Sequence, residues 1–137
     1  YVFGGKVFYI AVTYNRKIKE GKQTFNSVWV DRNWKPVRTK MIKKGYQYQN
    51  VPKPENLENA LKLVEDMGKT LKRHCRIDIY IIKKKVYLGE FTFFCGAKLH
   101  TFICNYKLGK IWLDNSDDYQ YEDERIRELV PKFYNLP

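Results

Sequence analysis

Two alternating segments separated by three lysines constrain the fold of this chain more than any other feature of its sequence. In residues 75–82 every second side chain is a cysteine or an isoleucine, and a second alternating segment occupies residues 86–93. Successive side chains point to opposite faces of a β-strand. The pattern therefore predicts an antiparallel β-hairpin whose turn lies at the lysines, residues 83–85.

The length of this turn decides which side chains share a face, because a shift of one residue turns every side chain over. A three-residue loop gives one face these opposite pairs: Ile82 with Val86, Tyr80 with Leu88, Asp78 with Glu90, and Arg76 with Thr92. The other face becomes a core face, with Cys75, Ile77, Ile79, Ile81, Tyr87, Gly89, Phe91 and Phe93. A two-residue loop would place Glu90 among the isoleucines, where an unpaired carboxylate is costly. The sequence thus predicts the three-residue register.

In this register the carboxylates of Asp78 and Glu90 lie side by side. The Cβ atoms of opposite residues are about 4.5–5.5 Å apart, and two charges at that distance repel by about 3 kcal/mol at an effective dielectric of 20. A divalent cation between them would turn repulsion into attraction, and oxygen-only ligands suit magnesium. Two carboxylates that face solvent or pair with nearby lysines are an equally good interpretation.

The rest of the chain predicts an α+β fold with a mainly antiparallel sheet. One long helix is expected near residues 54–72, where apolar residues recur at helical spacing: Leu57, Ala60, Leu61, Val64, Met67 and Leu71. It should pack on the sheet. A shorter C-terminal helix is expected at residues 123–130.

The N-terminal half predicts short extended segments. Residues 1–10 are expected to form two of them, joined by a tight turn at the paired glycines. Residues 7–12 and 27–31 predict strands. The polar and basic residues 15–22 predict an exposed loop, and residues 32–49 predict a loop with at most one strand.

Size, charge and cysteine content limit the class of protein. A chain of 137 residues is one domain or part of one, and its start without methionine suggests a cut inside a longer protein. The net charge of +11 favours polyanionic partners without choosing among them. No apolar run approaches the roughly 20 residues of a membrane span. An odd number of cysteines, three, favours a reducing, cytoplasmic location.

Two motifs at the predicted hairpin resemble the paired metal-binding strands of ATP-grasp enzymes: Arg76-Ile77-Asp78, and Glu90-Phe91-Thr92, which begins twelve positions after Asp78. Together with Pro52-Lys53-Pro54-Glu55-Asn56-Leu57 before the helix, they resemble the C-terminal portion of the TupA-like ATP-grasp family of cell-surface polymer biosynthesis. The similarity runs over about residues 1–110. It implies that residues 1–137 are a partial ATP-grasp domain whose upstream nucleotide-binding lobe is missing.

The resemblance implies an ATP-dependent carboxylate ligase, in which ATP phosphorylates a carboxylate and an amine or similar nucleophile displaces the phosphate. Asp78 and Glu90 would bind magnesium and ATP, with Thr92 as a third ligand, and Arg76 would be the catalytic residue that serves the acyl substrate. Relatives usually have asparagine at the position of Thr92 and proline at that of Cys95. Without its missing lobe the chain is expected to be inactive, and it would need a carboxylate, amine or glycan-type substrate.

Two further classes of site compete with this interpretation. Nucleic-acid or anionic-glycan binding would use the basic stretches 15–22 and 35–44 together with the many tyrosines and phenylalanines. A zinc site could draw on Cys95, His100 and Cys104, although their spacing fits no standard zinc pattern. An inactive relic of the ligase fold that binds a glycan or a partner is a third alternative.

Overall fold

The computed structural model describes residues 1–93 and 100–115. Its elements in chain order are β1 (Val2–Phe3), β2 (Lys6–Val7), β3 (Tyr9–Lys19), β4 (Lys22–Asp31), α1 (Leu57–Leu71), β5 (Arg76–Ile82), β6 (Lys85–Thr92) and α2 (Phe102–Asn115). The strands pair as three antiparallel hairpins, β1–β2, β3–β4 and β5–β6. The α+β class is confirmed, in small sheets rather than a single one. The predicted helix at residues 123–130 and the position of Cys95 lie outside the described residues.

The β1–β2 hairpin turns at Gly4 and Gly5, whose φ angles of +52° and +71° favour glycine. Such a turn was predicted from the paired glycines and is confirmed. The amide of Val2 donates to the carbonyl of Cys75 at 2.9 Å, and the amide of Cys75 donates back at 3.0 Å. These two bonds attach the start of the β5–β6 hairpin to the N-terminal strands.

The β3–β4 hairpin is longer than predicted. Residues 15–22 were expected to form a loop, but β3 continues to Lys19 and the chain turns at Glu20 and Gly21. The prediction was wrong because this segment lacks apolar alternation: those of its side chains that are described are exposed on both faces, and cross-strand backbone pairing holds the segment instead of burial. The register shifts between Tyr14 and Lys17, where Asn15 has a φ of +52°. The predicted strand at residues 27–31 is confirmed as the inner half of β4.

Helix α1 packs as its apolar stripe predicts. Leu61 and Val64 are 3% and 5% exposed, and the helix ends at Lys72, whose amide donates to the carbonyl of Gly68 at 3.1 Å. Its buried side chains join a cluster that connects β1, β2 and β5: Val2, Val7, Leu57, Leu61, Val64, Cys75 and Ile77. The helix therefore packs against the start of the β5–β6 hairpin.

A second cluster lies under the inner half of the β3–β4 hairpin and is covered by α2. Its buried members are Tyr1, Phe3, Trp29, Met41, Ile42 and Cys104. Residues 32–49 cross this region as a loop, as predicted, and touch β4 at the isolated bridges Val30–Pro36 and Ser27–Tyr46. Over residues 1–93 and 100–115, no helix has the length and apolar character of a membrane span.

Candidate functional site

The β5–β6 hairpin closes with a two-residue turn. Lys83 and Lys84 occupy it with φ angles of +48° and +64°, and Lys85 already belongs to β6, opposite Ile82. The predicted three-residue loop is therefore wrong. Turns with positive φ at both central positions match the right-handed twist of paired strands, and this geometry prevails here although neither residue is a glycine or an asparagine.

A bulge farther along the hairpin restores the predicted register at the carboxylates. Ile79 lies opposite Leu88 while Asp78 lies opposite Glu90, so Gly89 is the extra residue. The predicted pairs Asp78–Glu90 and Arg76–Thr92 are confirmed, whereas Tyr80–Leu88 and Ile82–Val86 are wrong: Tyr80 pairs with Tyr87, and Val86 pairs with Ile81. With this turn and no bulge, Glu90 would lie opposite Ile77 on the apolar face.

Gly89 suits this position because its neighbours leave little room for a side chain. A Cβ there would lie 3.0 Å from the carbonyl oxygen of Asp78 and 2.9 Å from the ring of Tyr80. A glycine inside a strand often marks a bulge or a close backbone approach. That was the signal in the sequence from which the bulge could have been predicted.

The predicted core face of the hairpin is buried only at Cys75 and Ile77, where β5 begins. Cys75 is fully buried and Ile77 is 8% exposed, but Phe91 and Phe93 on the other strand are 38% and 39% exposed. The two-residue turn also places Tyr87 opposite Tyr80, on the face of the carboxylates, where it is half exposed. The alternation predicted the apolar face of β5 correctly. Its prediction that the apolar side chains of β6 are buried is wrong.

The four predicted site residues meet on one face of this hairpin. The Nε of Arg76 donates to Oδ1 of Asp78 at 2.7 Å and its Nη2 donates to Oδ2 at 3.0 Å. The same Nη2 donates to Oε1 of Glu90 at 2.6 Å, and Oγ1 of Thr92 donates to that oxygen at 3.0 Å. A guanidinium therefore bridges the two carboxylates and offsets their repulsion, a pairing that the sequence suggested only for lysines.

The electrostatics of this cluster favour the charged form of Glu90, and both carboxylates are open to solvent. The hydrogen bond from Thr92 and the positive charge of Arg76 lower the pKa of Glu90 below its ordinary value. The side chains of Asp78 and Glu90 are 38% and 60% exposed, and that of Arg76 is 27% exposed. A cation from solution can reach both carboxylates.

The donor set of the cluster fits a magnesium ion better than a transition metal. Two carboxylates and one hydroxyl offer only oxygen atoms, which magnesium prefers. Nowhere in residues 1–93 and 100–115 do three or more His, Cys, Asp or Glu side chains group as metal ligands, so Thr92 would complete the protein's share of the ligands. Arg76 now supplies the positive charge between the carboxylates, and a metal ion would have to displace it from one of them.

The residues of the zinc alternative have other surroundings. His100 is 5% exposed and its Nε2 lies 2.8 Å from the hydroxyl of Tyr1. Burial lowers the pKa of His100. Cys104 is a buried thiol, and Cys95 lies beyond the described part of the chain.

Asn56 helps to position the hairpin, a role that was not predicted from the sequence. Its Nδ2 donates to the carbonyl of Lys84 at 2.6 Å, which attaches the tip of the β5–β6 hairpin to the entry of α1. Lys84 adds an exposed ion pair with Glu55 at 2.7 Å. Glu55 and Asn56 belong to the proline-rich motif before the helix. This motif therefore positions the hairpin and also begins the helix.

Comparison with known proteins gives one match. The model of the family described as TupA-like ATPgrasp matches residues 1–111. No curated protein and no solved structure matches the chain. The matched residues cover most of the 137-residue sequence, including all of the β5–β6 hairpin and the residues that Arg76 brings together. The chain therefore belongs to the TupA-like ATP-grasp family.

Proposed function

We propose that this chain is the metal-binding portion of an ATP- and magnesium-dependent carboxylate ligase of cell-surface polymer biosynthesis. One observation carries the proposal: in a member of an ATP-grasp family, a connected, solvent-open cluster on one face of the β5–β6 hairpin is formed by Arg76, Asp78, Glu90 and Thr92. Structural ion pairs also occur on surfaces, where they contribute little to stability. Here the fold inserts a bulge at Gly89 that keeps both acids together.

Asp78, Glu90 and Thr92 are the residues that would hold the magnesium ion. When bound, the ion supplies charge neutralisation for the nucleotide phosphates during phosphoryl transfer. The protein contributes two carboxylates fixed on adjacent strands. Their separation is set by backbone pairing and not by flexible loops, which favours a constant ligand geometry.

Arg76 has two successive roles in this proposal. It neutralises both carboxylates before the metal arrives, through bonds of 2.6–3.0 Å. Displaced from Glu90, its guanidinium offers donors suited to a carboxylate or to the oxyanion of an acyl substrate. Lysine would not replace it well, because an ammonium group lacks the planar paired donors of arginine.

The contacts to the adenine and most contacts to the phosphates are proposed to come from an N-terminal lobe of the same protein. We propose that residues 1–137 are one part of an ATP-grasp domain and that the complete protein works in the cytoplasm. The substrates would be ATP and a carboxylate with an amine or glycan-type acceptor.

The test uses the full-length parent protein, with Asp78→Asn and Glu90→Gln compared against Asp66→Asn. Asp66 is an exposed helix carboxylate that pairs with Lys69, so it matches the change in charge at a distant position. We expect each site variant to lower ATP-dependent ligation at least 100-fold and to abolish the rise in melting temperature caused by magnesium–ATP. Asp66→Asn should leave both unchanged.

Ligation by Glu90→Gln at the wild-type rate would overturn the assignment of the metal site. A wild-type protein whose melting temperature ignores magnesium–ATP would overturn the assignment of the ligase.

A further inference from the structure

The two histidines of this chain lie at opposite ends of helix α2. His100 comes just before the helix and faces Ile42 in an isolated bridge. His74 contacts the other end, where the centre of its ring lies 4.8 Å from that of Trp112. The sequence contains two histidines in all, so both imidazoles take part in attaching this one helix to the body of the protein, residues 1–93.

Helix α2 is attached by fewer buried side chains than α1. The buried residues of α1 are Leu57, Ala60, Leu61, Val64 and Gly68. Among the α2 side chains whose exposure is described, only that of Cys104 is buried, and Phe102 and Ile103 at its start are 69% and 51% exposed. An element with few buried contacts opens at a lower free energy than the rest of a structure. The contacts at the two ends of α2 are therefore important for holding it.

His100 is buried against aromatic rings. It is 5% exposed, its Nε2 lies 2.8 Å from the hydroxyl of Tyr1, and the ring of Trp29 meets it edge-on at 5.9 Å. The charged group that acts on it is the guanidinium of Arg76. Burial and this positive charge lower the pKa of His100, against the opposing effect of a hydrogen bond with Asn105 of α2.

His74 contacts two aromatic rings from two different elements. Its imidazole stacks on Phe3 of β1 at 5.3 Å, with 16° between the ring planes, and Trp112 approaches it from α2. Burial lowers the pKa of His74, and the N-terminal ammonium group adds to this effect. Over residues 1–93 and 100–115, neither histidine forms an ion pair with an acidic side chain. A proton on either ring would therefore add an uncompensated charge to the attachment of α2.

These surroundings determine how the attachment of α2 depends on pH. When α2 leaves the body, both imidazoles return to solvent, where their ordinary pKa is about 6.5. The released state then binds protons at a higher pH than the attached state, so acid favours release. The attachment has its full strength above this ordinary pKa and weakens as the pH falls from there to the lowered pKa values of the two histidines.

We propose that His74 and His100 form an acid-sensitive clasp, which holds the two ends of α2 on the body at neutral pH and releases the helix on acidification. Release uncovers the cluster under α2, in which Phe3, Trp29 and Met41 are at most 2% exposed while the helix is attached. It precedes global unfolding, because the cluster that α1 covers contains no histidine. The clasp does not depend on the proposed ligase activity.

The test is hydrogen exchange of the backbone amides in the full chain at about pH 7 and about pH 5, with each rate divided by the intrinsic rate at the same pH. Each histidine that gains a proton on release raises the opening constant of α2 by up to about tenfold per pH unit. We expect the protection of α2 amides to fall at least about tenfold between the two pH values, and that of α1 amides to fall less than about twofold.

Variants that do not titrate separate the histidines from the acids of the protein. His74→Phe keeps an aromatic ring against Phe3, and His100→Gln keeps a hydrogen-bonding group near Tyr1. The double variant should protect α2 at neutral pH and lose the pH dependence. His74→Phe alone should lose about half of it on a logarithmic scale, and replaces the double variant if that does not fold. Asp114→Asn, which removes an exposed acid of α2, should behave as the wild type does.

Three results would overturn the proposal. The first is equal protection of α2 at the two pH values in the wild type. The second is a pH dependence that survives unchanged in the histidine variants, and the third is a loss of protection of the same size in α1 and α2, which would indicate global unfolding by acid.

Discussion

The two long hairpins of this protein share their local construction and differ in how they are used. Each closes with a two-residue turn with positive φ at both positions, Glu20–Gly21 in one and Lys83–Lys84 in the other. Each also contains a bulge. The β3–β4 hairpin buries its inner half, where Val28, Trp29 and Val30 are at most 1% exposed, and leaves its outer half bare. The β5–β6 hairpin buries only Ile77 of β5 and buries no residue of β6.

The difference shows what a bulge does in each place. In the β3–β4 hairpin the shift falls between Tyr14 and Lys17, where the exposed part begins, so it changes the face of side chains that solvent surrounds in either case. In the β5–β6 hairpin the bulge lies between the two-residue turn and Glu90. The register of the turn alone would pair Glu90 with Ile77, whereas the bulge pairs it with Asp78. There the bulge decides whether Glu90 meets Asp78 or the apolar core.

The largest expected effect contrasts burial in the two hairpins. Trp29→Ala should lower the free energy of unfolding by about 4 kcal/mol, because the ring is 1% exposed and stacks on Tyr1 at 4.9 Å. Phe91→Ala should cost about 1 kcal/mol, since a surface that is already partly wet loses less on truncation. Urea unfolding measures both. Similar costs for the two would contradict the contrast, and Trp29→Phe replaces Trp29→Ala if the latter does not fold.

The second effect contrasts the two bulges. Gly89→Val should cost about 2 kcal/mol, because the new side chain would be forced against the backbone of Asp78. Arg16→Val, at the exposed bulge of the other hairpin, should change stability by less than about 0.5 kcal/mol. The same urea titration measures both variants. An equal change in the free energy of unfolding would show that position 89 does not require glycine.

Sequence reasoning succeeded where burial and alternation agreed. The stripe from Leu57 to Leu71 predicted α1 because one helical face is enough to define such a helix. Pairing of Asp78 with Glu90 was predicted because a misplaced carboxylate is costly in a core. Both inferences depend on strong penalties for burying the wrong group, and both are confirmed.

The failures have a common physical origin: in each, backbone geometry or tertiary context prevailed over side-chain preference. Lys83 and Lys84 carry no turn signal, so their two-residue turn was not predicted. Residues 15–22 carry no apolar pattern, so a strand held by cross-strand pairing was interpreted as a loop. The exposure of Phe91 depends on what packs against β6, which alternation alone does not report.

The smallest effect contrasts the two turns. Lys83→Asn/Lys84→Gly should stabilise the protein by about 1 kcal/mol, because asparagine and glycine adopt the left-handed conformation at lower cost than lysine. Glu20→Asn, beside the existing Gly21, should gain about half as much. Melting temperatures check the order, and a destabilised Lys83→Asn/Lys84→Gly variant would contradict the turn geometry.

The most direct test of the central claim, that the polar face of the β5–β6 hairpin is a metal site, is paramagnetic broadening of backbone amide signals by manganese, a substitute for magnesium. The account predicts that broadening is strongest at Asp78, Glu90 and Thr92, and that Asp78→Asn/Glu90→Gln removes it while Asp66→Asn does not. Strongest broadening at the acids of α1, or broadening at the hairpin that survives in Asp78→Asn/Glu90→Gln, would contradict the claim.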